Sequence, residues 1–174
     1  MEKIFYTKQS DYKSTDEVIV KILQEHFQIP APKILRTESG KPYLAQEHPV
    51  LFFSVSHTNG VLFIAFCDEN VGIDVEKLDR EVNFLPIVKK FHESERKNIL
   101  SAQDFLRYFT AKESGVKWLG GTLGKDFLSL RLCENTLFYK DTPLPVHVCC
   151  REFDGYILTI VAEKDFSFAN IYTL

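Results

Sequence analysis

The chain of 174 residues is long enough for one domain or for two small halves packed together. Its net charge of −3 argues against a nucleic-acid partner, and it lacks the apolar run of about 18 residues that a membrane-spanning helix needs. The four cysteines lack Cys-x-x-Cys spacing, and the first residues do not resemble a signal peptide. We therefore expect a cytoplasmic protein with reduced thiols and no membrane partner.

The first part of the chain alternates between strand and helix patterns. A strand is predicted over residues 3–7, followed by an amphipathic helix over residues 15–27 that Ser14 or Thr15 can cap. A short strand at residues 34–35 leads into a turn. A hairpin is then predicted, with strands over residues 51–56 and 61–66.

The second part repeats this order of elements. It is predicted to contain a strand, two helices, two short strands and a hairpin, over residues 71–75, 84–100, 104–119, 128–132, 136–139, 146–152 and 156–162. In each part a glycine, Gly60 or Gly155, opens the apolar second strand of the hairpin. This echo indicates an internal duplication, although two unrelated hairpins can look alike.

The predicted fold class is α+β, with two similar α/β halves related by a pseudo-twofold axis. Each half would be a small, mostly antiparallel sheet packed with a helix. The halves would comprise residues 1–70 and 71–174, within one compact unit. Because clefts between such units commonly bind ligands, we expect the active site at the seam.

Two blocks combine acidic side chains with an ordered pattern. Asp74 and Glu76 alternate with apolar residues, so both point to one side of a strand, roughly 6–7 Å apart. Glu113 and Lys117 are four residues apart and would share one face of a helix. Such carboxylates and a lysine suit a magnesium–phosphate site. Taken singly, each block is also explained as a solvated strand face or a surface ion pair.

A further polar block ends the first hairpin strand. His57 can donate to a phosphate oxygen when a neighbour holds its other ring nitrogen. The Ser56 hydroxyl and backbone N–H groups of the following turn can join it. The alternative is a histidine that merely caps the hairpin.

In chain order, five blocks resemble the 4′-phosphopantetheinyl transferase superfamily, in particular its longer, monomeric branch with two halves. The blocks are residues 40–42 (Gly-Lys-Pro), 54–57 (Ser-Val-Ser-His), 72–76 (Gly-Ile-Asp-Val-Glu), 91–95 (Phe-His-Glu-Ser-Glu) and 109–117 (Phe-Thr-Ala-Lys-Glu-Ser-Gly-Val-Lys). Outside them the ends match only in length and coarse pattern. The resemblance implies transfer of the phosphopantetheine arm of coenzyme A to a serine of an apo carrier protein (acyl, peptidyl or aryl). Adenosine 3′,5′-bisphosphate would be released.

The resemblance also implies roles for individual residues. Asp74, Glu76 and Glu113 would hold Mg²⁺, directly or through water, and Lys117 would contact the α- and β-phosphates. Glu113 is the first candidate for the base that removes the serine proton, directly or through water, and Lys117 is the second.

The 3′-phosphate side of coenzyme A would be bound by Lys41, Ser56 and His57.

Four departures from the family pattern affect the expected roles in coenzyme A binding and in catalysis. Phe109 replaces a tryptophan, and the usual Gly-Lys-Gly loop reads differently at residues 120–125. Gly115 lies inside the helix, where glycine costs about 1 kcal/mol, and would loosen the Glu113–Lys117 geometry unless packing compensates. The first helix lacks the arginines that many relatives use for the 3′-phosphate.

Two other functions remain open on the sequence alone. One is a non-catalytic relative that binds coenzyme A or a carrier, and the other is a metal-dependent phosphohydrolase. Carrier docking is predicted over residues 84–97, where apolar residues lie beside lysines and arginines. An ordinary helix with a solvated basic face would read the same way.

Overall fold

Two main sheets, two smaller ones and five α-helices make up the fold in the computed structural model, which describes residues 2–45 and 50–174. The strands are β1 (Glu2–Lys8), β2 (Ile34–Arg36), β3 (Pro42–Leu44), β4 (Phe52–Thr58), β5 (Val61–Cys67), β6 (Val71–Lys77), β7 (Leu130–Cys133), β8 (Thr136–Tyr139), β9 (Thr142–Pro143), β10 (His147–Phe153), β11 (Tyr156–Ala162) and β12 (Ile171–Thr173). The helices are α1 (Thr15–Phe27), α2 (Leu85–Val88), α3 (Glu93–Arg96), α4 (Ala102–Leu119) and α5 (Leu123–Asp126).

The predicted α+β class is confirmed. The first sheet has the order β12-β1-β5-β4 and the second has the order β10-β11-β6. All pairs in these sheets are antiparallel except β1 with β12, which run parallel. Helix α1 contributes buried residues to the core of the first sheet, and α4 does so for the second. No helix in the described ranges is long and apolar enough to cross a membrane.

The two halves repeat one connectivity. In the first half β1 pairs with β5, which pairs with β4; in the second half β6 pairs with β11, which pairs with β10. Each half also carries a small extra hairpin, β2–β3 or β7–β8, that comes after its longest helix. This order agrees with a duplication, whereas the pseudo-twofold axis and the division after residue 70 stay predictions.

One apolar cluster is built from both halves. Ile4 and Phe63 of the first half pack in it with Val75, Leu158 and Ile160 of the second, and all five are almost fully buried. Aromatic pairs continue the contact, including Phe63 with Tyr156 at 5.5 Å between ring centroids. The seam is therefore a shared hydrophobic core with a polar rim.

The single helix predicted over residues 84–100 is wrong, because the segment forms the two short helices α2 and α3. His92 starts the second of them through a capping box: its Nδ1 accepts the Ser94 N–H (3.2 Å), and the Glu95 carboxylate accepts the His92 N–H (3.1 Å). A residue at an N-cap has non-helical backbone, so the chain cannot continue one helix through it. By contrast, α4 forms nearly as predicted, from its Ser101 cap to Gly120 in the left-handed conformation.

Candidate active site

The edges of the two sheets meet at the seam through serine side chains. Strand β4 is an edge strand of the first sheet and β6 is an edge strand of the second. On the edges that face each other, neither strand pairs with another through its backbone. Ser54 Oγ accepts the Ile73 N–H (3.1 Å), and Ser56 Oγ accepts the Val75 N–H (3.2 Å). The two serines are two residues apart on β4, and the two amides that they accept from are two residues apart on β6. Both strands repeat every two residues, so the spacings agree. The serine hydroxyls therefore replace a backbone ladder between the halves.

The same edge of β6 also orients two lysines. Lys41 Nζ donates to the Val71 carbonyl (3.2 Å), and Lys117 Nζ donates to the Ile73 carbonyl (2.8 Å). These carbonyls belong to alternate residues, so the strand repeat sets them roughly 6–7 Å apart. The β6 edge, residues 71, 73 and 75, thus brings Lys41 from the first half beside Lys117 from α4.

Asp74 lies at the centre of this arrangement. Its Oδ1 accepts hydrogen bonds from Ser56 Oγ (2.8 Å) and from Lys117 Nζ (2.8 Å). Its Oδ2 is buried and has no hydrogen-bond partner among the described residues. A buried carboxylate oxygen without a partner is costly in free energy, so this atom is suited to coordinate a cation.

Close packing of α4 on β6 places Glu113 and Lys117. A Cβ on Gly72 would lie 2.0 Å from the Ser114 backbone oxygen, so only glycine allows this approach. Ser114 in turn donates to the Thr159 carbonyl (2.8 Å) on β11. Gly115 is explained by packing as well: its Cβ would meet Leu137 and Leu130 at 2.6 and 3.0 Å. Packing therefore compensates for the expected loosening by this glycine.

Burial raises the pKa of Glu113 to about 8, and the negative charge of Asp74 adds to the shift. Glu76 raises it further, whereas the positive charges of Lys117 and Arg80 lower it. The pKa of this carboxyl therefore responds to every predicted metal-binding side chain. A positive charge placed among these carboxyl groups would therefore stabilise their ionised forms.

Glu76 is paired with a residue that the sequence analysis missed. It forms an ion pair with Arg80 and accepts a hydrogen bond from Thr58 Oγ1 (3.1 Å). The spacing of four residues is the only signal that could have indicated Arg80. In the described part of the chain no three His, Cys, Asp or Glu side chains are gathered as a metal-binding group.

The carboxylates nevertheless fit a hard divalent cation in their chemistry. They supply oxygen ligands of the kind that Mg²⁺ prefers, and Asp74 presents an unpartnered oxygen. Lys117 and Arg80 now neutralise Asp74 and Glu76, in line with the rule that buried charges are paired. The metal assignment of Asp74, Glu76 and Glu113 stays a prediction.

A cavity of about 220 Å³ lies beside the two lysines. Lys41, Ser54, Lys117 and the backbone of residues 120–121 contribute to its wall. Burial lowers the pKa of Lys41 to about 8, and the charge of Lys117 adds to this effect. Two cations held close together and partly desolvated favour a bound anion such as a phosphate.

The structure separates Ser56 from His57. The Ser56 side chain points to the seam and contacts Asp74. His57, one residue later, is on the opposite face of β4 by strand alternation, and it is exposed. Within residues 2–45 and 50–174 its side chain has no hydrogen bond or ion pair, and only its backbone is paired, in the β4–β5 ladder. The structure thus brings together Lys41, Ser56, Asp74, Glu76, Glu113 and Lys117, and leaves His57 outside this cluster.

A second ion pair, buried and absent from the sequence analysis, anchors α3 to α4. Lys112 Nζ donates to Glu95 Oε2 (3.0 Å), and both side chains are at most 1% exposed. The Lys112 ammonium also lies 4.0 Å from the ring centroid of Phe91. Glu95 Oε1 accepts the Leu132 N–H (2.9 Å), so both carboxylate oxygens are hydrogen-bonded. Sequence spacing gives no signal for such a long-range pair.

Comparison with known proteins decides the family. The profile of the 4′-phosphopantetheinyl transferase superfamily matches residues 70–161, more than half of the chain. The chain belongs to this superfamily. The 4′-phosphopantetheinyl transferase Sfp of Bacillus subtilis (strain 168) is 27% identical over 180 residues, covering 93% of this chain and 79% of Sfp. The 4′-phosphopantetheinyl transferase gsp of Aneurinibacillus migulanus is 28% identical over 152 residues, covering 80% of this chain and 62% of gsp.

The resemblance predicted from the five sequence blocks is thereby confirmed. The matched range contains Asp74, Glu76, Glu113 and Lys117, whereas Lys41, Ser56 and His57 precede it. Membership supports the transferase class for this chain.

Proposed function

We propose that this protein transfers the 4′-phosphopantetheine arm of coenzyme A to a serine of an apo carrier protein and releases adenosine 3′,5′-bisphosphate. The observation that carries the proposal is the seam cluster. There, Asp74 and Glu113 lie beside Lys117 in a member of the phosphopantetheinyl transferase superfamily. An acidic group that needs a cation, next to a lysine pair that needs an anion, suits the pyrophosphate of coenzyme A.

Coenzyme A binding is assigned to the lysine cavity and its surroundings. Lys41 and Lys117 would contact phosphate oxygens, and His57 would contact the 3′-phosphate from the opposite face of β4. The Ser56 hydroxyl donates to Asp74 and accepts the Val75 N–H, so we assign it to positioning Asp74 rather than to contacting coenzyme A directly.

Asp74, Glu76 and Glu113 would hold a divalent cation, for which we propose Mg²⁺. The cation would neutralise the pyrophosphate. Arg80 contacts only Oε1 of Glu76, so its Oε2, which accepts from Thr58 Oγ1, retains a lone pair for a cation. Lys117 would remain near the bridging oxygen, where negative charge develops on the leaving group.

The chemical step exchanges one phosphorus–oxygen bond for another. The carrier serine Oγ attacks the phosphorus that bears the pantetheine, and the bond from that phosphorus to the bridging oxygen breaks. The serine proton passes to Glu113, directly or through water. The raised pKa of about 8 keeps this carboxyl largely protonated at neutral pH, and a bound cation would lower that pKa, so that ionised Glu113 could accept the proton.

Carrier docking is proposed for the surface of α2 and α3. Leu85 is 61% exposed there, with Lys89 and Lys90 exposed beside it. The proposal also includes a monomer and a cytoplasmic location, and the four free cysteines support the location.

Mass spectrometry of apo carrier proteins incubated with coenzyme A and Mg²⁺ tests the proposal. A mass gain of one phosphopantetheine arm supports transfer. Nucleotide release without carrier modification would indicate a phosphohydrolase, and binding without either product would indicate a non-catalytic relative. A panel of fatty-acid, polyketide and nonribosomal-peptide carriers would identify the partner.

A further inference from the structure

Asn70 joins the three parts of the molecule that meet at the lysine cavity. Its Oδ1 accepts a hydrogen bond from Lys41 Nζ (3.1 Å), and its Nδ2 donates to the Trp118 carbonyl (2.7 Å) near the end of α4. It occupies the short connection between β5 and β6, directly before Val71, the other acceptor for Lys41. One side chain therefore links Lys41 of the first half to the helix that carries Lys117.

We propose that Asn70 is a positioning residue for coenzyme A, which holds the Lys41 ammonium at the phosphate cavity. The inference rests on the proposed function, because it assigns Lys41 to a phosphate of that substrate. Nothing in the sequence blocks of the family pattern indicates this residue.

The contacts of Lys41 explain why a positioning residue is needed. A lysine ends a flexible four-carbon stem, and ordering such a side chain costs up to about 2 kcal/mol. Lys41 has two acceptors that fix it, the Val71 carbonyl and Asn70 Oδ1, and both belong to adjacent residues. Asn70 is itself fixed by its bond to Trp118. The ammonium is thus ordered before a ligand arrives, which reduces the entropy lost on binding.

The chemistry of the amide also suits this role. A carboxylate at the same place would neutralise Lys41 and compete with an anionic ligand. An amide oxygen orients the ammonium and leaves its full charge for the phosphate. Lys41 would consequently keep its positive charge toward the cavity, whereas Lys117 also pairs with Asp74.

Isothermal titration of the full chain with coenzyme A tests the inference in a double-mutant cycle. The variants are Asn70→Leu, Lys41→Ala and the two combined, with Asn98→Leu as the matched control. Asn98 also donates one side-chain hydrogen bond to a backbone carbonyl, that of Ser94, but it is exposed and lies just after α3. We expect Asn70→Leu to weaken coenzyme A binding about tenfold, as for loss of a hydrogen bond to a charged group. The double variant should bind as Lys41→Ala does, and Asn98→Leu as wild type.

A carrier-modification assay adds a second readout. Asn70→Leu should raise the KM for coenzyme A and leave kcat nearly unchanged, since binding is affected and the reacting groups are not. Urea unfolding of each variant reports any loss of the α4 contact separately. Asn70→Ser, whose side chain is too short for either contact, gives the same test if the leucine variant fails to fold.

Unchanged coenzyme A affinity in Asn70→Leu with reduced stability would overturn the inference and leave Asn70 as a cap of α4. Losses that multiply in the double variant would overturn it too, because Asn70 would then act independently of Lys41. Failure of the proposed function looks different. The wild type would then bind coenzyme A without modifying any carrier, and the binding cycle would still decide the role of Asn70.

Discussion

At the scale of single residues, the site contains buried carboxyl groups whose burial is only partly offset by neighbouring positive charges. Glu113 is the clearest case, because burial and two neighbouring carboxylates all oppose its ionisation. Asp74 keeps one buried oxygen without a partner in the described chain, although Lys117 pairs with the other. Burying these carboxyl groups with incomplete compensation opposes folding, a pattern that is common at functional sites.

Glu113→Gln should therefore change how stability depends on pH. The folded pKa of about 8 lies above the ordinary value of 4.5, so between these pH values the folded state retains a proton that the unfolded state has released. Without divalent cation, wild-type stability should fall as pH rises from about 5 to 8, and the glutamine variant should not show this loss. Thermal melts in EDTA at several pH values measure it.

In the same melts, added Mg²⁺ should raise the wild-type Tm at pH 8 much more than that of Glu113→Gln. Parallel Tm curves for the two proteins across the pH range would mean that folding does not raise the pKa of Glu113.

His57→Ala should separate two forms of the substrate. If His57 contacts the 3′-phosphate, its loss raises the KM for coenzyme A several-fold, as for other hydrogen bonds to charged groups, and leaves that for 3′-dephospho-coenzyme A unchanged. Steady-state kinetics with both substrates make the comparison. Equal effects on the two would assign the histidine to the hairpin end alone.

Gly72→Ala should disrupt the site without touching a charged residue. The added methyl would lie 2.0 Å from the Ser114 oxygen and 2.8 Å from the Trp118 nitrogen, so α4 must move away from β6. We expect a loss of stability of about 1–3 kcal/mol, as in other overpacked sites, together with a large drop in turnover. Gly124→Ala is the matched control, because its Cβ would meet nothing within 4 Å. Similar urea midpoints for both variants would contradict the close approach.

At the scale of secondary-structure elements, strands and the long helix were predictable because each carries a periodic pattern. The strand around Asp74 and the helix around Glu113 formed where the apolar spacing placed them. Residues 84–100 did not, because the break depends on His92 acting as an N-cap, a role that histidine rarely has. Partners from different elements, such as Lys112 with Glu95, follow from tertiary packing, which local patterns do not encode.

The surface of α2 and α3 gives a prediction at this scale. Acidic carrier helices should be attracted to Lys89 and Lys90, so reversing both to glutamate should raise the carrier KM and flatten its dependence on salt. Coenzyme A kinetics should not change. The control reverses Lys13 and Lys33, which are also exposed but lie in the first half. Identical salt series for the two double variants would show that α2 and α3 are only a solvated surface.

At the scale of the whole molecule, the halves share their core and should unfold together. Phe63 of β5 is fully buried against residues of the second half, whereas the single tryptophan, Trp118, lies on α4. Phe63→Ala should cost about 3–5 kcal/mol. Its urea midpoint by Trp118 fluorescence should match that by far-ultraviolet circular dichroism. Two separate transitions would show that the halves are independent domains.

The β6 edge has a consequence for the solution behaviour of the protein. An uncovered strand edge is a template on which other chains can add strands and aggregate. Here the Ile73 and Val75 amides and the Val71 and Ile73 carbonyls already have side-chain partners. Side chains from β4 and α4 therefore occupy the edge on which another chain could otherwise add a strand. Because β6 is buried against β4 and α4 along nearly its whole length, the halves would have to separate before this edge became accessible, so the packing that places Lys117 beside Asp74 also limits aggregation.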